Sequence, residues 1–343
     1  MSQDPKQIPA DDPSQILTQM TNGFILTKLL HTVATLGIAD LLADGPKPVA
    51  ELAASTGTHA DSLYRVLRAL ASSGVFAEGE ERVFQLTPIA NLLRSDVEGS
   101  MRAWTRMRAD DWIWQSYAAF EYSLRTGAPS FQHVFGTGVW EYLGEHPEQG
   151  ANFDQAMTSL SNGLNQPVVA AYDFTPFHTV CDIAGGHGSL ISTMLQSSPA
   201  LRGILFDAHR VLAGAGDTLA SYGVADRCTL FGGDFFESVP DGADLYTMKF
   251  IIHDWDDERS RIILNNIRKV IPANGKLLLF ESVILPGNEP SFGKLIDIEM
   301  LTIPGGRERS EREFAQLFSG AGFRLTRVIP TACPLSVIEA EPV

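Results

Sequence analysis

The chain of 343 residues carries 26 basic side chains against 41 acidic ones, a formal charge of −15. A surface of that sign repels nucleic acid and anionic lipid, so a small molecule is the expected partner. At roughly 100 to 200 residues per domain the length implies two or three domains, and Cys181, Cys228 and Cys333, widely spaced and without a C-x-x-C pair, exclude a disulfide framework.

Residues 1–13 read as a disordered tail without the basic and apolar regions of a signal peptide. No apolar run approaches the ~20 residues that span a bilayer, and a cytoplasmic location is expected. Residues 24–43 place apolar side chains at helical spacing until Gly45-Pro46 ends the pattern. A short helix is predicted over 49–54 and a longer one over 59–72, where Leu63, Val66, Leu67 and Leu70 fall at i, i+3, i+4 and i+7. Two β-rich runs, 75–77 and 83–86, flank a polar turn and predict a hairpin. Helix, helix, hairpin is the winged-helix pattern, expected over residues 14–100.

A winged helix raises the possibility of a transcription regulator with 59–72 as recognition helix. Charge argues against it: residues 45–94 carry five basic side chains and five acidic ones, and the wing tip reads Glu78-Gly-Glu-Glu. A packing or dimerisation role is expected instead. Residues 101–175 then form a helical segment dense in aromatics, including Trp104, Trp112, Trp114 and Trp140. Most should fill a core, and a few should line a pocket for a flat substrate.

From residue 179 short apolar runs alternate with helical segments. Strands are predicted at 179–183, 203–206, 228–231, 245–250 and 276–281, and helices at 188–196, 211–222 and 256–271. Such alternation requires right-handed crossovers and predicts a doubly wound α/β domain, Rossmann-like, with a parallel sheet over residues 176–343.

In such sheets ligands sit beyond the carboxyl ends of the strands. The first strand ends in DIAGGHG, residues 182–188, which lacks the Lys of a phosphate loop, and Ile191 stands where the dinucleotide fingerprint requires a glycine. The second ends at Asp207, a carboxylate placed to accept both ribose hydroxyls of an adenosine. The third leads to Asp234, an acceptor for an adenine amino group, and Phe235, which would pack on the ring; either aspartate could instead cap a turn.

DIAGGHG, Phe206-Asp207, GDFF at 233–236, KFIIHDW at 249–255 and GGRER at 305–309 together resemble the S-adenosylmethionine-dependent O-methyltransferases of the plant caffeate, acetylserotonin and bacterial polyketide-tailoring type. The resemblance covers nearly the whole chain. It implies S-adenosyl-L-methionine as cofactor, bound by Gly185, Gly186, Asp207, Asp234, Phe235 and Lys249, and a homodimer formed through the N-terminal domain. It also implies an aromatic or polyketide-like acceptor, with Met157 and Met300 packing on its ring and Trp140 and Asp254 in its pocket.

Methyl transfer to oxygen needs an in-line acceptor and removal of its proton. His253, at the end of the fourth strand, is the expected general base, supported by Glu281 and Glu308; which of the two contacts Nδ1 is open, and Glu308 could instead pair with Arg307 or Arg309. The acids at 254–258 are expected to open a helix and not to bind a metal. Three departures from the family pattern stand out: Ala184 where relatives have glycine, Ala208-His209 in place of Leu-Pro, and Ile303 in place of a polar Asn. The same fold and cofactor could serve N- or C-methylation or a diverted reaction.

Overall fold

Asp12 caps the first helix of the computed structural model, which describes residues 12–343: its carboxylate accepts from the Ser14 amide at 3.2 Å, and Pro13 takes the first helical position. The helix α1 (Pro13–Thr35) therefore takes in the end of the expected tail, of which residues 1–11 lie outside the described residues. Gly37, at φ +69°, then turns the chain into α2 (Ile38–Leu41), so the helix predicted over 24–43 is two.

There follow β1 (Lys47–Pro48), α3 (Val49–Thr56), α4 (Ala60–Ser72), β2 (Phe76–Glu78), β3 (Val83–Leu86), α5 (Pro88–Asn91) and α6 (Arg102–Met107). The strands pair antiparallel in the order β1-β3-β2, the hairpin of the winged-helix pattern with one strand added. Leu63, Leu67 and Leu70 form the buried stripe of α4 and pack with Leu52, Phe76 and Phe84. By contrast α1 leaves Leu17, Met20 and Phe24 exposed at 62%, 74% and 59%.

Residues up to Asp111 form one unit and Trp112–Val343 the other. The helices α7 (Asp111–Ala118), α8 (Phe120–Thr126), α9 (Ser130–Phe135), α10 (Val139–Glu145) and α11 (Pro147–Ala170) precede the sheet. Some of their aromatics fill a core as expected: Phe131, fully buried, meets Trp112, Phe135 and Tyr142 at ring distances of 6.0, 4.7 and 5.4 Å.

The sheet comprises β4 (Thr179–Ile183), β5 (Arg202–Asp207), β6 (Cys228–Gly232), β7 (Leu245–Lys249) and β8 (Lys276–Glu281), all parallel. Between them run α12 (Ser189–Ser197), α13 (His209–Leu212), α14 (Ala215–Ser221) and α15 (Asp257–Val270). The helix predicted over 211–222 is interrupted at Gly214. Two helices, α16 (Phe292–Thr302) and α17 (Glu311–Ser319), and two strands, β9 (Phe323–Pro330) and β10 (Ser336–Pro342), complete the chain. These strands are antiparallel, β10 pairing with β8, so the sheet is mixed and not purely parallel. Its order is β6-β5-β4-β7-β8-β10-β9, which reverses direction between β4 and β7.

Both faces are covered, which is why the central strands are buried along nearly their whole length. On one face Ile263, Leu264 and Ile267 of α15 join Tyr246, Met248 and Leu279; on the other α12 packs with Val180, Leu205 and Leu278. Fully burying one such aliphatic side chain stabilises the fold by about 1.5–3 kcal/mol. The register pairs Ile183 with Phe206, Asp207 with Gly232 and Lys249 with Phe280, so five strands end at one rim. That rim, at the reversal point, is where such a sheet binds ligands.

Candidate active site

At the end of β7 the chain makes an abrupt turn. Phe250 adopts φ +56°, a left-handed conformation that costs a bulky residue about 1–3 kcal/mol and persists only where its surroundings enforce it. Glu281, at the end of β8, supplies the restraint: its Oε1 accepts from the amides of both Ile251 and Ile252 at 3.0 Å. The turn delivers His253, 7% exposed, onto the rim, with the Phe250 ring stacked on the imidazole at 5.2 Å.

Three carboxylates surround that imidazole. Glu308 Oε1 lies 2.7 Å from Nδ1, Glu281 Oε2 lies 3.7 Å from the same nitrogen, and Asp254 Oδ1 lies 3.5 Å from Nε2. The two glutamates thus divide the work: Glu308 holds the ring and Glu281 holds the backbone that carries it. Beside the Glu308 carboxylate Nδ1 is the donor, which leaves Nε2 on the side of Asp254. Neither arginine competes for Glu308, since Arg307 pairs with Glu313 and Arg309 with Asp257.

The loop carrying Glu308 is fastened to the His253 turn from both sides. The Arg307 amide donates to the His253 carbonyl at 2.8 Å, and the Glu308 amide donates to Asp297 Oδ1 at 2.8 Å. Arg309, 1% exposed, donates to the carbonyls of Ile252 and Trp255 at 3.0 and 2.9 Å and reaches Asp257 at 2.8 Å. Asp256 caps α15 by accepting from the Arg259 amide at 2.8 Å, so these acids do open a helix.

Burial alone would lower the His253 pKa, but the charges of Glu281 and Asp254 and the Glu308 hydrogen bond outweigh it and hold the imidazolium up to about 10. Burial raises Glu281 and Asp254 to about 7 each, against the pull of His253 and with the help of Glu308. Glu281 Oε2 and Glu308 Oε2 are buried without a hydrogen-bond partner. His253, Glu281 and Glu308 bring ligand-type atoms within 4.8 Å of one another, but the hydrogen bond to Glu308 already occupies Nδ1.

Next to this cluster lies the glycine loop. A Cβ on Gly185 would fall 2.5 Å from both Asp182 Oδ2 and Leu205 Cδ1, so nothing larger than glycine lets the loop lie this close to the strand ends. At Gly186, with φ +60°, a Cβ would meet nothing within 4 Å. The Gly186 amide donates to Asp207 Oδ2 at 2.8 Å, joining the loop to the end of β5. Beneath it Asp182 accepts from Thr247 Oγ1 at 2.7 Å, and burial raises its pKa to about 7.

Ala184 occupies the left-handed region at φ +54°. That backbone costs an L-residue about 1–2 kcal/mol. Ala184→Gly is therefore expected to raise unfolding free energy by about 1 kcal/mol in a denaturant titration, and an unchanged or lower value contradicts the strain.

The remaining expected site residues are more dispersed. Asp234 is exposed and accepts from the Phe236 amide at 2.8 Å, so its carboxylate caps a turn. Phe235 packs at 6.1 Å from Trp255, itself 6.0 Å from Trp140, within one aromatic cluster. Lys249 donates to Asn165, whose Nδ2 bonds Ser189 Oγ at 3.1 Å, and burial lowers the lysine to about 8 against the pull of Asp182. Met157 lies on α11 and Met300, 8% exposed, on α16. Sequence reasoning missed Phe250, Asn165, Asp297, Gly306 and Arg309, which position others.

Comparison with known proteins bears on this arrangement. Residues 117–324 match the model of the O-methyltransferase domain, and residues 18–96 that of the O-methyltransferase dimerisation domain. The phenazine O-methyltransferase PhzM of Lysobacter antibioticus is 48% identical over 330 residues, covering 96% of each chain. The crystal structure of LaPhzM aligns with a TM-score of 0.94 at 47% identity, over 97% of this chain and 100% of that one. An O-methyltransferase from neocarzinostatin biosynthesis, solved with S-adenosylmethionine and 2-hydroxy-5-methyl naphthoic acid, aligns with a TM-score of 0.78 at 31% identity, over 93% of this chain and 96% of that one.

Proposed function

Because the chain belongs to the O-methyltransferase family and is an S-adenosylmethionine-dependent enzyme, we propose that it methylates a phenolic hydroxyl of an aromatic or polyketide-like metabolite, with His253 as general base. One observation carries this reading. The His253 nitrogen that Glu308 does not engage, Nε2, belongs to a ring fixed at 2.7 Å by Glu308, on the same rim as the glycine loop and Asp207.

The residues present fit the cofactor: the close-lying turn at Gly185, the open space at Gly186 and the Asp207 carboxylate suit an adenosine with its ribose on the aspartate. When bound, S-adenosylmethionine supplies an electrophilic methyl on sulfonium. His253 Nε2, in the fraction of molecules whose imidazole is neutral, takes the phenolic proton, Glu308 steadies the resulting imidazolium, and Glu281 keeps the turn in place. The exposed apolar face of α1 and the matched dimerisation domain support a homodimer. Among the described residues no helix is long and apolar enough to cross a membrane.

Incubation with labelled cofactor and a panel of hydroxylated aromatics tests the reading. Label in an aryl methyl ether, identified by product mass and fragmentation, supports it; label on nitrogen or carbon only, or none, overturns it.

The raised His253 pKa has a consequence for rate. With the imidazole protonated at neutral pH, kcat/KM should climb with pH until it passes the lower of the acceptor pKa and about 10. Glu308→Gln removes an anion that holds that proton, so the rising limb should move to lower pH while kcat falls. A profile flat from pH 6.5 to 9, or a limb that moves up in Glu308→Gln, is the contrary result.

A further inference from the structure

We propose that Asp154 and Arg210 form a strap at the ribose end of the cofactor pocket that slows release of the bound cofactor. This rests on the reading of Asp207 as ribose acceptor. Asp154 on α11 and Arg210 on α13 approach to 3.8 Å, joining two elements that are 56 residues apart in sequence, 154 to 210. Their side chains are 29% and 57% exposed, and an ion pair that open contributes little to folding on its own. Its position is what gives it a use.

Asp207 lies within the field of both partners. Burial raises its pKa, the amides of Gly186 and Ala208 and then Arg210 lower it, and Asp154 raises it. Asp154 in turn is raised by burial and lowered by Arg210 and by His187 of the glycine loop. Arg210 stands in α13, three residues beyond Asp207 at the end of β5, and Gly186 bonds the same carboxylate, so a ribose on Asp207 lies beside the turn that presents Arg210 as well as the loop.

The turn that presents Arg210 is anchored by His209, one of the residues that depart from the family pattern, and by His187 of the glycine loop. His209 lies so close on the end of β6 that a Cβ on Gly232 would fall 2.1 Å from its Nδ1. His187 lies against the start of α14, where a Cβ on Gly214 would fall 3.2 Å from its ring. With His209 seated on β6, the next residue, Arg210, is directed to Asp154, so the substitution of Ala208-His209 for Leu-Pro has a structural use.

The test measures S-adenosylhomocysteine affinity and dissociation rate on the full-length protein without acceptor. Arg210→Gln and Asp154→Asn should each weaken binding about fivefold, through faster dissociation. The exchanged double variant, Asp154→Arg with Arg210→Asp, should recover most of the loss, which a merely structural role would not produce. High salt should speed release from the wild type and leave the single variants unmoved. Binding within twofold of wild type in both single variants, or a double variant as weak as their combined losses, overturns the strap. Absence of binding to the wild type overturns the functional reading as well.

Discussion

His253→Gln is expected to lower kcat by about 10²–10⁴, the range a positioned general base contributes, with cofactor affinity unchanged. Glutamine keeps a polar side chain of similar reach but takes no proton, and the glycine loop and Asp207 belong to other strands. The loss should depend on the acceptor. A phenol acidic enough to ionise in solution needs no base, so the ratio of wild-type to variant rate should shrink steadily as acceptor pKa falls. A defect under tenfold, or one equal for all acceptors, removes His253 from that role.

The same substitution also tests the electrostatics. His253 has its pKa raised in the folded state, so its contribution to stability is full below its unfolded pKa and is lost as pH rises through about 10. Glu281 and Asp254, raised to about 7, cost nothing below their unfolded pKa values and impose an increasing penalty as pH rises from there toward about 7. Without the imidazolium those carboxylates lose their main counter-charge, and the stability deficit of His253→Gln should be larger at pH 8 than at pH 5.

The predicted strands followed from short apolar runs, and a strand covered on both faces is buried in nearly every position, as β4, β7 and β8 are, with polar exceptions such as Asp182 and Thr247 that bond each other. Strands β9 and β10 escaped because FRLTRVIP mixes buried and exposed positions and no helix separates it from its partner. His253 and Glu281 were legible because strand ends at one rim are fixed by topology. The choice between Glu281 and Glu308 was not, since 55 residues separate His253 from Glu308 and only folding sets that distance. Asp234 shows the limit of reading by residue type: the same carboxylate suits an adenine and a turn cap, and here it bonds its own backbone neighbourhood.

Gly306 illustrates a residue whose importance lies in what it lacks, and Gly306→Ala is expected to lower kcat by about 10². A Cβ there would fall 2.0 Å from the His253 carbonyl oxygen, 2.3 Å from the Asp254 carbonyl carbon and 2.6 Å from the Trp255 amide nitrogen. All three are backbone atoms, so no side-chain rotation relieves the overlap, and the loop must lift off the turn. Lifting it strains the Arg307 bond to His253 and the Arg309 bonds to Ile252 and Trp255, at a cost in stability of about 1–3 kcal/mol. It also withdraws Glu308 from Nδ1. The variant should therefore share the shifted pH limb of Glu308→Gln in addition to its lower melting temperature. Gly144→Ala serves as the control, because a Cβ at that helical position meets nothing within 4 Å and should leave kcat unchanged. Wild-type kcat in Gly306→Ala, or a loss of rate without the pH shift, would show that the loop does not set the Glu308–His253 distance.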